Sequence, residues 1–254
     1  MIFRQLYEPD SSTYTYLVAC PDSGDAVLID PVLDAVTRDL SVVQQLGLNL
    51  RVTLDTHVHA DHLTGARRLK QLIGSRIAFP AMAELPCSDI GVEEGRPLEI
   101  GSVKLHPLFT PGHTSHHHCF VVDNGTMQMV FSGDALLIDA CGRTDFQSGD
   151  AARLYRSIRE KLYSLPNETL VYPCHDYEGR HVSSIGQEKR RNPYIQQGTT
   201  EETFIATMNG LGLPYPRKID FSVPGNERCG RCPEEIPEQY RAICQEGLDL
   251  GLLS

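Results

Sequence analysis

Apolar residues in the first third of the chain fall in short runs separated by turn formers. STYTYLVAC at 12–20, PDSGD at 21–25 and AVLID at 26–30 predict a hairpin feeding a further strand. DAVTRDLSVVQQLG at 34–47 has helical spacing and stops at Gly47, and LRVTLDT at 50–56 is a nearly continuous apolar strand of the buried type. GARRLKQLIG at 65–74 predicts a second helix closed by Gly74. Strands are then predicted in RIAFPA (76–81), LEIGSVKLHPLFT (98–110), HCFVVDNG (118–125) and MQMVFSG (127–133). At 150–165, DAARLYRSIREKLYSL opens on Asp150 as a helix cap and spaces Leu154, Ile158 and Leu162 four apart, an amphipathic pattern. TLVYPCH at 169–175 reads as another buried strand. From about Gln187 the pattern turns helical in QEKRRNPYIQQ and TEETFIATMNGLG, then gives way to a Pro-rich tail with one short helix near its end. Strands outnumber helices and interleave with them, which predicts a layered α/β fold. The expected division is a core over residues 1–186 and an appendage over 187–254 that packs on the core rather than folding alone.

Four polar features sit where apolar runs end. THVHADHLTG brings His57, His59, Asp61 and His62 together; TPGHTSHHH carries His113, SGDALL carries Asp134, and YPCHDY carries His175. A lone histidine after a strand is more often a surface or hydrogen-bonded residue than a ligand. Four imidazole or carboxylate groups, all at strand ends, point instead to a metal site, because rigid strands fix ligand geometry. His116, His117 and His118 alternate into the strand that follows, so one or two of them are expected to be core or supporting histidines, and none is taken as a ligand.

Charge and composition narrow the chemistry. The 254 residues carry a formal net charge of -10, so neither nucleic acid nor anionic lipid finds a basic face to bind. The N-terminal segment lacks a signal-peptide pattern and no run is long enough to span a bilayer, which leads us to expect a cytoplasmic protein with no membrane partner. The eight cysteines are scattered through a chain too large to need stapling and are expected as reduced thiols. Cys229 and Cys232 form a C-x-x-C with no second copy to complete a zinc site, and incidental thiols are favoured there over a redox pair.

The motif set H-x-H-x-D-H, PGHT, GD and a late strand ending in histidine resembles the metallo-β-lactamase superfamily, which implies a four-layer αβ/βα sandwich with the metal at one rim. By ligand count alone two ions could be held: His57, His59 and His113 on one, Asp61, His62 and His175 on the other, and Asp134 between them. That would be a thioester hydrolase of the glyoxalase II kind. ACGRTDFQSGDAARLYRSI, LDTHVHADHLTGA, EKRRNPYI and DFSVPGNERCG, however, are similar to the persulfide dioxygenase branch, also called sulfur dioxygenases. This resemblance implies a single Fe(II) per chain on His57, His113 and Asp134. Two imidazoles and one carboxylate on one face leave positions free for dioxygen and a sulfur ligand. His59, Asp61, His62 and His175 would then orient ligands and water. The implied reactants are glutathione persulfide and O2, the products sulfite and glutathione. Arg143 and Tyr177 match substrate-binding positions of relatives, and those relatives commonly pair as homodimers.

Overall fold

The computed structural model describes residues 1–246 and forms two six-stranded sheets packed face to face. The first runs in sequence order through β1 (Ile2–Glu8), β2 (Thr13–Ala19), β3 (Asp25–Ile29), β4 (Asn49–Leu54), β5 (Arg76–Pro80) and β6 (Ile90–Val92). The second has the order β12 (Ser183–Ser184), β11 (Leu170–Pro173), β10 (Gln128–Gly133), β9 (His118–Asp123), β8 (Val103–Phe109), β7 (Leu98–Ile100). Both sheets are mixed: β3 to β6 run parallel to one another in the first while β1, β2 and β3 pair antiparallel, and only the β10–β11 pair is parallel in the second.

Period-two alternation sends the two faces of each strand into different cores. On β2, Tyr14, Tyr16 and Val18 join Val27, Ile29, Phe120, Val122, Met129 and Phe131 in the slab between the sheets. Leu17 and Ala19 face the other way, onto α1 (Val36–Gln45) and α2 (Ala66–Ile73) through Val36, Leu40 and Leu69. The second sheet turns Cys119, Val121, Val130 and Val171 outward onto a helical layer. That layer contains α3 (Ala151–Arg156), which continues as a π-helical segment over Ser157–Leu162, then α4 (Ile185–Arg191) and α5 (Glu201–Asn209). Helix, sheet, sheet, helix is the four-layer order expected of this sequence, and burial of both faces explains why β2 reads as a continuous buried run.

Several elements differ from the expected pattern. The N-terminal residues form β1, an edge strand whose half-buried positions hide its alternation. The predicted single strand over 98–110 is a hairpin, because Gly101 turns the chain with φ 57° between β7 and β8. The tail holds α6 (Ile219–Asn226), a helix that Pro224 and Gly225 mask in the sequence, before α7 (Arg241–Glu246).

The cysteines also depart from expectation. Cys87 is bonded to Cys229 across 142 residues, and Cys232 to Cys244, so four of the thiols expected to be reduced are paired. Neither bridge joins the two cysteines of the C-x-x-C. The first ties the tail to a segment that only the folded chain brings near, and the second closes a short loop within the tail. Cys20, Cys119, Cys141 and Cys174 are free.

Helix α6 reaches the histidine loop. Asn226 is fully buried; its Nδ2 donates to the carbonyls of His59 (2.9 Å) and His62 (2.8 Å), and its Oδ1 accepts from the Thr64 amide (2.9 Å). Arg67 N donates to the Cys229 carbonyl at 3.1 Å, so the same turn of the tail holds the start of α2. Asn226→Ala leaves three buried backbone groups unpaired, and we expect a loss of about 1–3 kcal/mol in stability together with roughly tenfold weaker metal retention; thermal unfolding and chelator competition measure the two, and a variant that matches the parent in both would show that the clamp is idle. Opening the Cys87–Cys229 bridge with a reductant should cost about 2–4 kcal/mol, visible as a larger drop in the melting temperature of the wild type than of the Cys229→Ser variant, in which only Cys232–Cys244 is left to open.

Candidate metal centre

The strand-end features converge on one rim, where the ends of β4, β10 and β11 meet the loop after β8. Donor atoms of His57, His113 and Asp134 lie within 4.8 Å of one another. Asp61 and His62 group with His59, and His175 groups with Asp134 and Cys174, so each sequence-derived metal or supporting residue lies at this rim. Asp134 faces both ways. Its Oδ2 is 3.5 Å from His113 Nε2 and its Oδ1 is 3.6 Å from His175 Nε2.

Hydrogen bonds fix which nitrogen each imidazole presents. His113 Nδ1 donates to the Arg143 carbonyl (2.8 Å), and His175 Nδ1 donates to the Ser12 carbonyl (3.2 Å). His57 Nδ1 is 2.8 Å from the Thr56 hydroxyl, and His62 Nδ1 is 3.0 Å from Asp61 Oδ2. In all four the partner occupies Nδ1 and leaves Nε2 as the free donor. His59 is reversed: its Nε2 sits 3.0 Å from Asp30 Oδ1 and 3.6 Å from Asp55 Oδ1, which leaves Nδ1 as its unpartnered atom, and its ring centroid lies 4.1 Å from that of His57.

The residues fit a cation. His62 Nε2, His59 Nδ1 and Asp134 Oδ1 are buried and have no hydrogen-bond partner among the described residues. An unpartnered imidazole lone pair or carboxylate oxygen costs free energy in a buried site, and a metal ion satisfies both kinds of atom at once. Burial pushes the His57 imidazole well below its usual value, and the surrounding histidines push it further, so it is the neutral form that ligation requires. Burial also pulls His59 down, but the Asp30 and Asp55 carboxylates outweigh it and set its pKa at about 9. Burial raises the Asp55 carboxyl to about 7 against the attraction of His59.

Local sequence explains how the ligands are held. At Gly133 (φ 50°) the chain turns beneath the site; a Cβ there would lie 2.5 Å from His117 Nε2 and 2.8 Å from the Thr56 hydroxyl. At Gly142 a Cβ would come within 2.8 Å of His113 Nδ1, so the glycine lets the ring lie against the main chain. All three consecutive histidines, rather than one or two of them, make supporting hydrogen bonds. His117 accepts from the Asp134 amide at Nε2 (3.1 Å) and meets the Thr110 hydroxyl at Nδ1 (2.9 Å). His116 Nε2 accepts from the Val58 amide (3.0 Å), and His118 Nδ1 donates to the His116 carbonyl (2.9 Å).

The expected substrate residues are placed differently from one another. Tyr177 is 73% exposed and its ring stacks on His175 at 5.9 Å. The Arg143 guanidinium is already engaged, bidentate on Asp145 at 2.7 Å for each bond, with a further bond to the Pro214 carbonyl (2.9 Å) and the Phe146 ring at 4.7 Å. Its main chain, not its charge, contacts the metal ligands.

Three contributors were missed in the sequence. Asp30 ends β3 with φ 49° and accepts from the Thr56 amide (2.7 Å), the Thr56 hydroxyl (3.1 Å) and His59. A carboxylate closing the apolar run AVLID was the available signal. Asp55 precedes the cluster directly, and its hydrogen bond from the Thr64 hydroxyl (3.1 Å) ties the two ends of the loop. Asn226, 162 residues beyond Thr64, had no local signal.

Comparison with known proteins agrees with this geometry. The family model of the metallo-beta-lactamase superfamily matches residues 9–175. The mitochondrial persulfide dioxygenase ETHE1 of Bos taurus is 43% identical over 230 residues, covering 91% of this chain and 89% of that protein. The crystal structure of ETHE1 from Myxococcus xanthus superposes with a TM-score of 0.87 at 46% identity, covering 91% of this chain and 100% of that one. Hydroxyacylglutathione hydrolase of Pseudomonas putida is more distant, at 30% identity over 204 residues, 80% of this chain and 77% of that protein. With two sheets, their helical layers and the histidine and aspartate motifs at one rim, the chain belongs to the metallo-β-lactamase superfamily.

Proposed function

We propose that this protein is a glutathione persulfide dioxygenase that works with one Fe(II) per chain on His57, His113 and Asp134. The observation that carries the reading is the convergence of donor atoms of His57, His113 and Asp134 within 4.8 Å of one another. Similarity to the bovine persulfide dioxygenase over 91% of the chain supports the same reaction. Held by His57, His113 and Asp134, Fe(II) would supply the redox chemistry that brings dioxygen to a sulfur ligand. The terminal persulfide sulfur gives up four electrons to O2 and both oxygen atoms end on it; water then completes the release of sulfite, with the thiol of glutathione as the other product.

The chain's own residues prepare that site. The Arg143 and Ser12 carbonyls hold His113 and His175 in fixed tautomers, and His117 steadies the main chain of Asp134. Such preorganisation keeps ligand directions from relaxing during turnover. Tyr177 offers an exposed ring and hydroxyl at the mouth above His175. Arg143 borders a cleft of about 350 Å³ shared with Asp145, Asn209 and Leu213. A glutathione carboxylate binding there would share the guanidinium with Asp145. A homodimer and a cytoplasmic location belong to the same proposal. That compartment keeps most thiols reduced, so it would render the Cys87–Cys229 and Cys232–Cys244 bridges redox-sensitive.

A second reading, a two-metal thioester hydrolase, draws on the Oδ1 of Asp134 facing His175 and on the unpartnered Nε2 of His62. Elemental analysis of anaerobically purified protein, joined to oxygen uptake with glutathione persulfide, separates the two. We expect one iron per chain with oxygen consumption, and no hydrolysis of S-D-lactoylglutathione. Asp134→Ala should lose its iron, since two protein ligands remain, whereas His62→Ala should keep it; loss of iron in both variants, or two zincs without oxygen uptake, would favour the hydrolase.

A further inference from the structure

Gln147 belongs to the segment between Asp134 and α3, yet its side chain reaches the histidine loop. Half-buried, it donates from Nε2 to the Val58 carbonyl at 2.7 Å, and Val58 is the residue between His57 and His59. A carbonyl only accepts, so the amide nitrogen is the atom that faces it. The Val58 N–H in turn donates to His116 Nε2 at 3.0 Å. Both main-chain polar groups of Val58 are therefore committed to side chains from other segments, which fixes the peptide planes that join it to His57 and His59.

The segment that carries Gln147 touches the other two proposed iron ligands as well. At its start the Gly142 amide donates to the Asp134 carbonyl (2.8 Å), and the Arg143 carbonyl accepts from His113 Nδ1 (2.8 Å). At its end the Asp150 amide donates to the carbonyl of Gly112, the neighbour of His113 (2.8 Å). Between these points the chain closes on itself: the Gly149 amide donates to the Phe146 carbonyl (2.7 Å), and the Arg143 guanidinium lies on Asp145. Gln147 and Ser148 both occupy the left-handed region, with φ 48° and 57°. Residues with side chains avoid that region unless their surroundings hold them there. In that conformation the Gln147 amide meets Val58.

We propose that Gln147 is a positioning residue that closes a single brace, residues 142–150, tying all three iron ligands together. The inference rests on the reading of His57, His113 and Asp134 as the metal-binding set. Without the Gln147 bond the segment would still hold His113 and Asp134 through main-chain contacts, but it would lose its tie to the His57 loop, 89 residues away in sequence. A ligand whose backbone can shift gives up metal affinity, since the ion no longer meets three donors already in place. The side chain acts through the Val58 carbonyl and need touch neither the iron nor the persulfide.

Two substitutions test this. Gln147→Met keeps the length of the side chain and removes the donor; Gln147→Gly removes the side chain and relieves the left-handed backbone, so the fold itself should not suffer. Release of the metal held as purified is timed against a chelator, and thermal unfolding is measured on the same samples. We expect roughly tenfold faster release from both variants, with the melting temperature of Gln147→Gly equal to or above the parent's. The electron paramagnetic resonance signal of the iron-loaded protein with nitric oxide should change shape in both, because it follows ligand directions. In oxygen uptake kcat should fall while KM for glutathione persulfide stays within about twofold, the split that separates positioning from substrate binding. Release at the parent's rate in either variant, an unchanged resonance signal, a raised KM with parent-like release, or faster release that only follows a lowered melting temperature would each overturn the proposal. Oxygen uptake by the parent is scored separately: a parent that consumes none refutes the dioxygenase reading, and the metal-release comparison still decides on the brace.

Discussion

The rim of this protein is governed by the cost of burying charge. Asp30, Asp55, His57, His59 and His62 are each 1% exposed or less, and an unpaired ion in such a place costs several kcal/mol. The fold meets that cost in two ways. Asp30 and Asp55 are paired with His59 and with the Thr56 and Thr64 hydroxyls. Orphaned atoms that remain, His59 Nδ1, His62 Nε2 and Asp134 Oδ1, are left for a cation. Placement of the polar groups at strand ends follows, since only there can several side chains from both sheets meet without breaking the apolar slab of Tyr16, Ile29, Phe120 and Phe131.

Most of the layer architecture could be read from the chain because it rests on local periodicity. The alternation in β2 and the four-residue spacing of Leu154, Ile158 and Leu162 each reflect a face buried on an identifiable partner. Where packing is one-sided or broken by glycine and proline, the pattern fails. The edge strand β1 is only half-buried, and α6 contains Pro224 and Gly225 yet survives because Phe221, Ser222 and Asn226 are buried against the rest of the molecule. The cysteine reading failed for a related reason. Scattered positions suggested reduced thiols, but pairing of Cys87 with Cys229 is a property of tertiary proximity, not of spacing.

The site divided along the same line. Histidines and aspartates ending apolar runs announce themselves, and His57, His113 and Asp134 are brought together by the fold. The groups that steer them do not carry that signature. Asn226 is an ordinary helix-end asparagine until its amide is seen bridging the His59 and His62 carbonyls. Arg143 shows the converse case. A basic residue at a substrate position reads in the sequence as a free cation, whereas its guanidinium lies on Asp145 and its carbonyl orients His113.

Ligand identity alone leaves the number of metals undetermined on this scaffold. The residues for a second ion are all present, and Asp134 directs one oxygen toward each side. The commitment of other groups tells the imidazoles apart. Asp30 takes the Nε2 of His59 and leaves its Nδ1 as the open atom, whereas His57 and His62 are held at Nδ1 and present Nε2. A carboxylate just past β3, outside the conspicuous histidine motif, therefore decides which atom of that motif can face a cation.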